Sequence, residues 1–269
     1  MNPQDQAAGL RKLLQPRVPR LVSIVSGRPA TGRTTLAVNL AAGLARQGHR
    51  VVLIDEGCGI GNACEVLGLR PRCELAHVLN GDRALREIVL QGPCGITVVP
   101  AARGLPMSNG AQGQQLIARA QLDRLLARAD VVLVDAACGS VGALALPVPA
   151  AKSAIVTTLT GALMVKQAYA WIKHLTGRFP GLEVGVAVCR VRQEQEAQTI
   201  CANLAAVAQR HLGVCLEAAG IVAEDPRVAD AARAGRVLLE AFPRSRAAVQ
   251  MRSLAGQIQS RGVPAAAAA

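Results

Sequence analysis

A glycine-bounded loop that follows a short apolar run constrains the fold of this chain more than any other feature. The apolar, β-branched run Leu21–Val25 leads into Gly27, four residues follow, and Gly32 then opens a helical pattern with Arg33 and Thr34. A strand, a glycine turn and a helix N-terminus in that order aim backbone N–H groups and a helix dipole at one anion. The spacing matches the Walker A pattern of phosphate-binding loops, G-x-x-x-x-G-K-[ST], except that arginine replaces the lysine.

This replacement changes the chemistry that the loop can offer. Lysine acts in such loops as a compact point charge that reaches the β- and γ-phosphates, whereas Arg33 presents a wide planar fork. The sequence therefore predicts a nucleotide-binding fold whose phosphate chemistry is altered.

The remaining apolar runs predict an α/β fold. Runs such as Val51–Ile54 and Val131–Val134 are continuous rather than alternating, which is typical of strands buried on both faces. Because they alternate with helical patterns, we predict a doubly wound, mostly parallel sheet of seven or eight strands with helices on both faces. Strands are predicted over 21–26, 50–55, 95–99, 130–135, 153–158, 183–189 and 218–222. Helices are predicted near 33–47, 83–90, 112–128, 161–176, 192–211, 226–234 and 245–260.

Composition favours a large core and anionic partners. The 269 residues are 51% hydrophobic but include only one Trp, one Tyr and two Phe, so the core must be aliphatic. No run reaches the roughly 18 apolar residues of a membrane span, and no signal peptide is recognised. The eight cysteines form no C-x-x-C pair, which favours buried thiols in a reduced, cytoplasmic setting. The net charge of +12 favours an anionic binding partner: nucleic acid, an acidic protein or the cytoplasmic leaflet of a membrane. The alternative is that the genome uses arginine in place of lysine throughout, in which case the arginine content carries no information about partners.

Several segments together resemble one family. The chain is similar to the MinD/ParA class of deviant Walker ATPases and, more specifically, to the flagellar-number regulators of the FlhG/FleN family, over about residues 1–258. The segments that carry this resemblance are 21–47, 52–55, 60–81, 92–104 and 130–139. It implies a MinD-like P-loop domain that binds ATP and Mg²⁺. The implied nucleotide-binding residues are Gly27, Arg28, Gly32, Arg33, Thr34 and Thr35, and the implied Mg²⁺ residues are Thr34, Asp55 and Asp135.

The N-terminus carries a second motif of the same family. Residues Asp5–Arg11 match its D-Q-A-x-x-L-R element. The resemblance implies that this element is a short helix that docks on the signal-recognition-type GTPase FlhF and stimulates GTP hydrolysis. The residues expected to contact this partner are Asp5, Gln6, Leu10 and Arg11. A glutamine that orients water and an arginine near phosphate suit the activation of a GTPase.

The loop departs from the family pattern G-K-G-G-x-G-K-T-T at four positions. Arg28 replaces the signature lysine and Arg33 the Walker lysine, while Pro29 and Ala30 replace two glycines. Proline lacks an N–H donor, and alanine does not easily hold a left-handed conformation. We therefore expect the backbone cradle to lose a donor and to change shape, although the Thr34 hydroxyl is retained.

The sites for the catalytic water and the base depart as well. In the family segment D-x-D-x-G-L-x-N, the second aspartate positions the attacking water, and here that position is Gly57. Glu56 is adjacent, but neighbouring residues at a strand end point to opposite sides, which makes it a poor substitute. On the adenine side, Cys189 replaces an asparagine and Ala223 a proline. We therefore expect no catalytic residue and an impaired ATPase.

The sequence leads to one functional prediction with two alternatives. We predict a regulator of flagellar number and placement, acting through the FlhF-type GTPase and through flagellar switch components or a flagellar transcription activator. The alternatives are an active ATP-dependent ATPase that cycles between monomer and membrane-bound dimer, and a ParA-like DNA-binding partition protein. No specific nucleic acid is expected, a homodimer is allowed, and membrane association is expected to be weak or absent.

The chain divides into three predicted parts. Residues 1–20 form a GTPase-activating helix and linker, 21–260 the MinD-like P-loop domain, and 261–269 a disordered tail. The C-terminal helix carries only a thin apolar stripe without aromatic residues, which is more typical of a packing helix than of a membrane-binding one. The expected location is the cytoplasm, with the inner membrane or cell pole as peripheral alternatives.

Overall fold

The strands and helices alternate along most of the chain. The computed structural model describes residues 19–102, 112–145 and 151–260. Its strands are β1 (Arg20–Val25), β2 (Val51–Asp55), β3 (Leu90–Gln91), β4 (Thr97–Pro100), β5 (Val131–Asp135), β6 (Ala151–Thr158), β7 (Glu183–Val191) and β8 (Glu217–Ala223). Its helices are α1 (Arg33–Arg46), α2 (Ala63–Val66), α3 (Leu75–Leu79), α4 (Leu85–Ile88), α5 (Gln112–Leu126), α6 (Ala162–Arg178), α7 (Glu194–Leu212), α8 (Pro226–Arg233), α9 (Leu238–Ala241) and α10 (Arg246–Ser260).

All eight strands join one sheet, in the order β3-β4-β2-β5-β1-β6-β7-β8. Only the pair β3–β4 is antiparallel, and every other pair is parallel. The predicted doubly wound, mostly parallel sheet is therefore confirmed. β1 lies inside it, between β5 and β6, so the strand order reverses on either side of β1. In such sheets, ligands bind outside the carboxyl ends of the strands at this reversal.

Each face of the sheet is covered by its own set of helices. Alternate strand residues point to opposite faces, so Leu21 joins one apolar cluster while Val22 joins the other. The first cluster contains apolar residues of α3, α4, α5, α6 and α7, and the second those of α1, α2, α8, α9 and α10. Both faces are thus dry, which explains the continuous apolar runs of the central strands.

Several short strands and helices, and the solvent exposure of some side chains, differ from the sequence predictions. The pattern analysis missed β3, α2, α3 and α9, each of five residues or fewer. Three of the eight cysteines (Cys58, Cys138 and Cys215) are exposed, so the expectation of buried thiols is wrong for these, and all eight are free. In α10, Val249 is half exposed while Met251, Leu254 and Ile258 are buried against α1 and β8. The part of the chain described here contains no helix long and apolar enough to cross a membrane.

Candidate functional site

The glycine-bounded loop lies at the carboxyl end of β1, where the strand order reverses. Gly32 adopts a left-handed conformation (φ 86°) as the residue that precedes α1. A Cβ on this glycine would lie 3.0 Å from the Cβ of Cys189, so the loop packs directly on β7. Ala30 also has a positive φ, of 59°. The expectation that alanine would change the loop's shape is therefore not met at this residue, which takes a conformation that glycine adopts at lower cost.

Arg33 folds back onto the sheet. Its Nε donates a hydrogen bond to Oδ1 of Asp135 over 2.7 Å, and its Nη1 donates to Oγ of Ser26 over 3.2 Å. The Asp135 side chain is fully buried and that of Arg33 is 13% exposed. The guanidinium is thus the internal counter-ion of a buried carboxylate. Removing either partner of such a pair leaves an uncompensated charge in the protein interior.

The hydroxyl of Thr34 is also hydrogen-bonded to the Asp135 carboxylate. Oγ1 of Thr34 donates to Oδ2 of Asp135 over 2.6 Å, so both oxygens of Asp135 are hydrogen-bonded within the chain. Burial raises the pKa of Asp135, and the Arg33 charge and the Thr34 hydrogen bond oppose that shift. Thr34 and Asp135, two of the three expected Mg²⁺ residues, therefore lie together and bind each other.

Asp55, the third expected Mg²⁺ residue, serves another segment. It is the register partner of Asp135 on the neighbouring strand, so both carboxylates lie at the same edge of the sheet. Its Oδ1 accepts the backbone N–H of Gly57 over 2.9 Å and its Oδ2 that of Cys64 over 2.8 Å. Asp55 therefore fixes the segment after β2. Across the described ranges, no group of three or more His, Cys, Asp or Glu side chains is placed to bind a metal ion.

Glu56, which the sequence analysis set aside as pointing away from the site, lies within it. The residue is 1% exposed. Its Oε2 accepts the backbone N–H of Ala137 (3.1 Å) and the Ser140 hydroxyl (3.2 Å), while Oε1 is buried without a hydrogen-bond partner among the described residues. Burial raises the pKa of Glu56. Glu56 thus connects the segments that follow β2 and β5. The only sequence signal was a charged residue next to the end of a buried strand.

A tryptophan covers the first glycine of the loop. A Cβ on Gly27 would lie 2.3 Å from both Cδ1 and Nε1 of Trp171, a residue of α6. His174 packs edge-on against the same indole, with the ring centroids 5.3 Å apart. Gly27 is therefore required here for close packing against the indole. No local sequence pattern indicates this contact, because Gly27 and Trp171 are far apart in the chain.

The remaining predicted site residues are dispersed. Arg28 is exposed, and its carbonyl accepts a hydrogen bond from Ser26. The carbonyl of Thr35 accepts a hydrogen bond from Asn39. On the expected adenine side, Cys189 is buried, which raises the pKa of its thiol to about 12. Ala223 is also buried, and its backbone N–H donates to Gln250. Neither residue presents a polar side chain for a base.

The predicted partner-binding residues lie outside the described part of the chain. They are Asp5, Gln6, Leu10 and Arg11, and the same holds for the predicted tail at 261–269.

Comparison with known proteins identifies the family. A family model described as an AAA domain matches residues 20–168. The chain is 32% identical to the antiactivator FleN of Pseudomonas aeruginosa, over 91% of this chain and 88% of the relative. It is 23% identical to the flagellum site-determining protein YlxH of Helicobacter pylori, over 57% of this chain and 53% of the relative. Its fold is similar to that of the septum site-determining protein MinD complexed with Mg-ADP from Pyrococcus horikoshii, with a TM-score of 0.68, 20% identity, and coverage of 90% of this chain and 97% of that structure. The chain therefore belongs to the FlhG/FleN family of MinD/ParA-type Walker ATPases.

Proposed function

We propose that this MinD-like flagellar regulator acts through protein contacts and not through an ATPase cycle. One observation carries the proposal: Arg33 and Thr34 both bind Asp135, so the groups expected to hold phosphate and Mg²⁺ are bound to one another. A nucleotide would have to break these contacts before it could form its own. The residues present therefore fit Mg²⁺ and ATP poorly.

Two further features of the loop support the same proposal. Pro29 has no N–H to offer a phosphate, and Gly57 has no carboxylate to orient a water molecule. The MinD structure from Pyrococcus horikoshii is a complex with Mg-ADP, and the present chain has a similar fold. We propose that it has kept the fold and lost the nucleotide chemistry, so that no residue is catalytic.

Trp171 allows a direct test of nucleotide binding. It is the only tryptophan of the chain and contacts Gly27, so a ligand that reorganises the loop will change its fluorescence. We expect no change with millimolar ATP and Mg²⁺, no heat in titration calorimetry, and no phosphate release above background. Mg²⁺-dependent turnover by the unmodified chain would contradict the proposal.

Reversion of the loop provides the matched control. Arg33→Lys alone should not restore turnover, because Pro29, Ala30 and Gly57 remain unchanged. A variant that also carries Arg28→Lys, Pro29→Gly, Ala30→Gly and Gly57→Asp should bind ATP if these departures are the cause. If Arg33→Lys alone restores full binding, the arginine is the sole defect and the wider proposal is wrong.

The proposed partner is the FlhF-type GTPase, contacted through Asp5, Gln6, Leu10 and Arg11. The support is the match of this segment to the family motif together with the family assignment of the whole chain. We further propose that residues 21–260 form the body that binds flagellar switch components or a flagellar transcription activator. This assignment does not require ATP.

A GTPase assay with the full chain tests the partner. We expect the chain to accelerate GTP hydrolysis by the cognate FlhF-type GTPase equally well with and without ATP. Gln6→Ala should abolish the stimulation, and Leu10→Asp should weaken docking by placing a charge on an apolar face. Gln15→Ala, which lies outside the motif, is the control and should retain full stimulation. Equal stimulation by all three variants would show that the motif has no role.

A homodimer is the proposed assembly, formed through the carboxyl edge of the sheet. Ile60, in the segment after β2, is 99% exposed, and Leu163, at the start of α6, is 56% exposed. Exposed apolar side chains at one edge favour association. Sedimentation equilibrium should give the same monomer–dimer ratio with and without ATP.

We propose that the protein resides in the cytoplasm.

A further inference from the structure

Three arginines line a groove beside the edge strand β3. It lies between α4, the edge strand β3 and the C-terminal half of α5, and its volume is about 530 Å³. Arg86 lines it from α4, and Arg124 and Arg128 line it from the end of α5 and the turn that follows. We call this feature the arginine groove. α5 runs back from the carboxyl edge of the sheet, so the groove lies away from the loop at Gly27.

The positive charge of the arginine groove is uncompensated. No acidic residue lines it, and within the described ranges none of the three arginines forms an ion pair. Of the acids next to the groove, Glu87 accepts the backbone N–H of Ala84 over 2.7 Å. Oδ2 of Asp123 faces Arg119 at 3.7 Å, and its Oδ1 is buried without a hydrogen-bond partner among the described residues, so Asp123 does not neutralise the three arginines. Arg124 and Arg128 line the same groove, and their like charges repel each other. An anionic occupant would relieve this repulsion.

The floor of the arginine groove is apolar. Leu85 is buried, and Val89 and Leu125 are half-buried in the same lining. Around them stand the amide side chains of Gln91 and Gln121, the second of which accepts the backbone N–H of Leu85. An apolar floor within a cationic rim fits a ligand that carries both carboxylates and apolar side chains.

These features favour a protein segment over nucleic acid. A phosphodiester backbone gains nothing from an apolar floor, and none of the residues that line the groove is aromatic, so no base can stack there. Arginine binds carboxylates through two parallel hydrogen bonds, which suits glutamate or aspartate side chains. We propose that the arginine groove is a docking site for an acidic, amphipathic segment of a partner protein.

Docking at this surface does not depend on the proposal about ATP. Among the described residues, the groove shares no lining residue with the loop or with Asp135. A partner could therefore bind the arginine groove whether or not the loop binds a nucleotide. It adds a second contact surface to the chain.

Fluorescence anisotropy with a synthetic probe tests the inference. The probe is a fluorescein-labelled peptide of about 14 residues in which glutamate and leucine follow a helical i, i+3, i+4 repeat. We expect the full chain to bind it, and Arg124→Glu combined with Arg128→Glu to weaken binding at least tenfold. The control is Arg210→Glu combined with Arg236→Glu, which makes the same change in net charge at exposed arginines elsewhere. It should weaken binding less than twofold.

Two further arms separate the alternatives. A probe with serine in place of leucine should bind at least tenfold more weakly, and duplex DNA should not displace the original probe. Equal loss in both double variants would mean attraction to net charge alone and would overturn the proposal. Equal binding of the serine probe, or displacement by DNA, would mean a general polyanion surface and would overturn it as well.

A single substitution guards against misfolding of the double variant. Arg86 lies on the opposite wall and is exposed, so Arg86→Gln should leave the circular dichroism spectrum and melting temperature unchanged. We expect it to weaken probe binding three- to tenfold. Unchanged binding by this folded variant would also contradict the proposal.

Discussion

Arg33 and Arg124 carry the same guanidinium group in contrasting surroundings. Arg33 is nearly buried and binds Asp135 and Ser26, whereas Arg124 is exposed in a groove without an acidic residue. In this family one would look for ligand binding at the first of these positions. The ion pairing instead favours ligand binding at Arg124, because the charge of Arg33 is already neutralised by Asp135 inside the fold.

This contrast separates a structural role from a binding role. One contact of Arg33 and one of Thr34 tie the loop after β1 to Asp135 of β5, while a second contact of Arg33 holds Ser26 within the loop. Glu56 ties the segment after β2 to the segment after β5. Here the side chains connect them, which is why we expect this edge to be rigid without ligand.

The largest expected effect comes from breaking the buried pair. Asp135→Ala leaves Arg33 without its counter-ion and should lower the free energy of unfolding by about 3–5 kcal/mol. The measurement is urea denaturation without nucleotide. Glu194→Ala, which removes a surface pair with Arg246 at 3.2 Å, is the control and should cost no more than about 1 kcal/mol. Equal, small effects would show that Arg33 is not held by its pairing.

A smaller effect is expected from filling the space between the loop and α6. Gly27→Ala places a methyl group within the indole of Trp171 and should cost about 1–3 kcal/mol through overpacking. Trp171→Leu in the same chain should recover part of that loss. Gly177→Ala, on the same helix with nothing near the added atom, is the control and should not destabilise. If Gly27→Ala is neutral, the indole does not rest on the loop.

The sequence predicted the architecture well because its signals are local. Continuous apolar runs located the central strands to within two residues, and the loop was placed correctly after β1. The four elements that the analysis missed, β3, α2, α3 and α9, have five residues or fewer and lie in segments without a continuous apolar run or a helical repeat. The helix α2, for example, is a single turn of four residues that is capped by the Asn62 side chain.

The contents of the site could be predicted only in part. Thr34 and Asp135 were expected to lie together, because both follow from the family pattern, and they do. The direct hydrogen bonds of Asp135 to Thr34 and to Arg33 could not be foreseen, since they depend on which rotamers a folded site allows. Glu56 was set aside and Trp171 was missed because their contacts lie 81 or more residues away in sequence.

The protonation of Glu56 gives a pH-dependent effect of intermediate size. Because its pKa is raised in the fold above the ordinary 4.5, the folded chain binds more protons than the unfolded chain above that pH. Stability should therefore fall as pH rises from about 4.5 through the folded pKa. Glu56→Gln mimics the protonated form, so it should flatten this part of the stability curve, measured by urea denaturation between pH 4.5 and 8. An unchanged slope in the variant would assign the pH dependence to other groups.

The smallest effect is expected in the arginine groove, where a binding surface should be dispensable for folding. Arg124→Gln removes one member of a like-charged pair with Arg128 and also a cation near the end of α5, which favours the helix dipole. Because these contributions oppose each other, the free energy of unfolding should change by no more than about 0.5 kcal/mol. The same variant should still weaken binding of the glutamate–leucine probe. Urea denaturation and anisotropy on one preparation give both values. A loss of stability comparable to that of Asp135→Ala would mean that Arg124 is held within the fold as Arg33 is, and the contrast between the two regions would disappear.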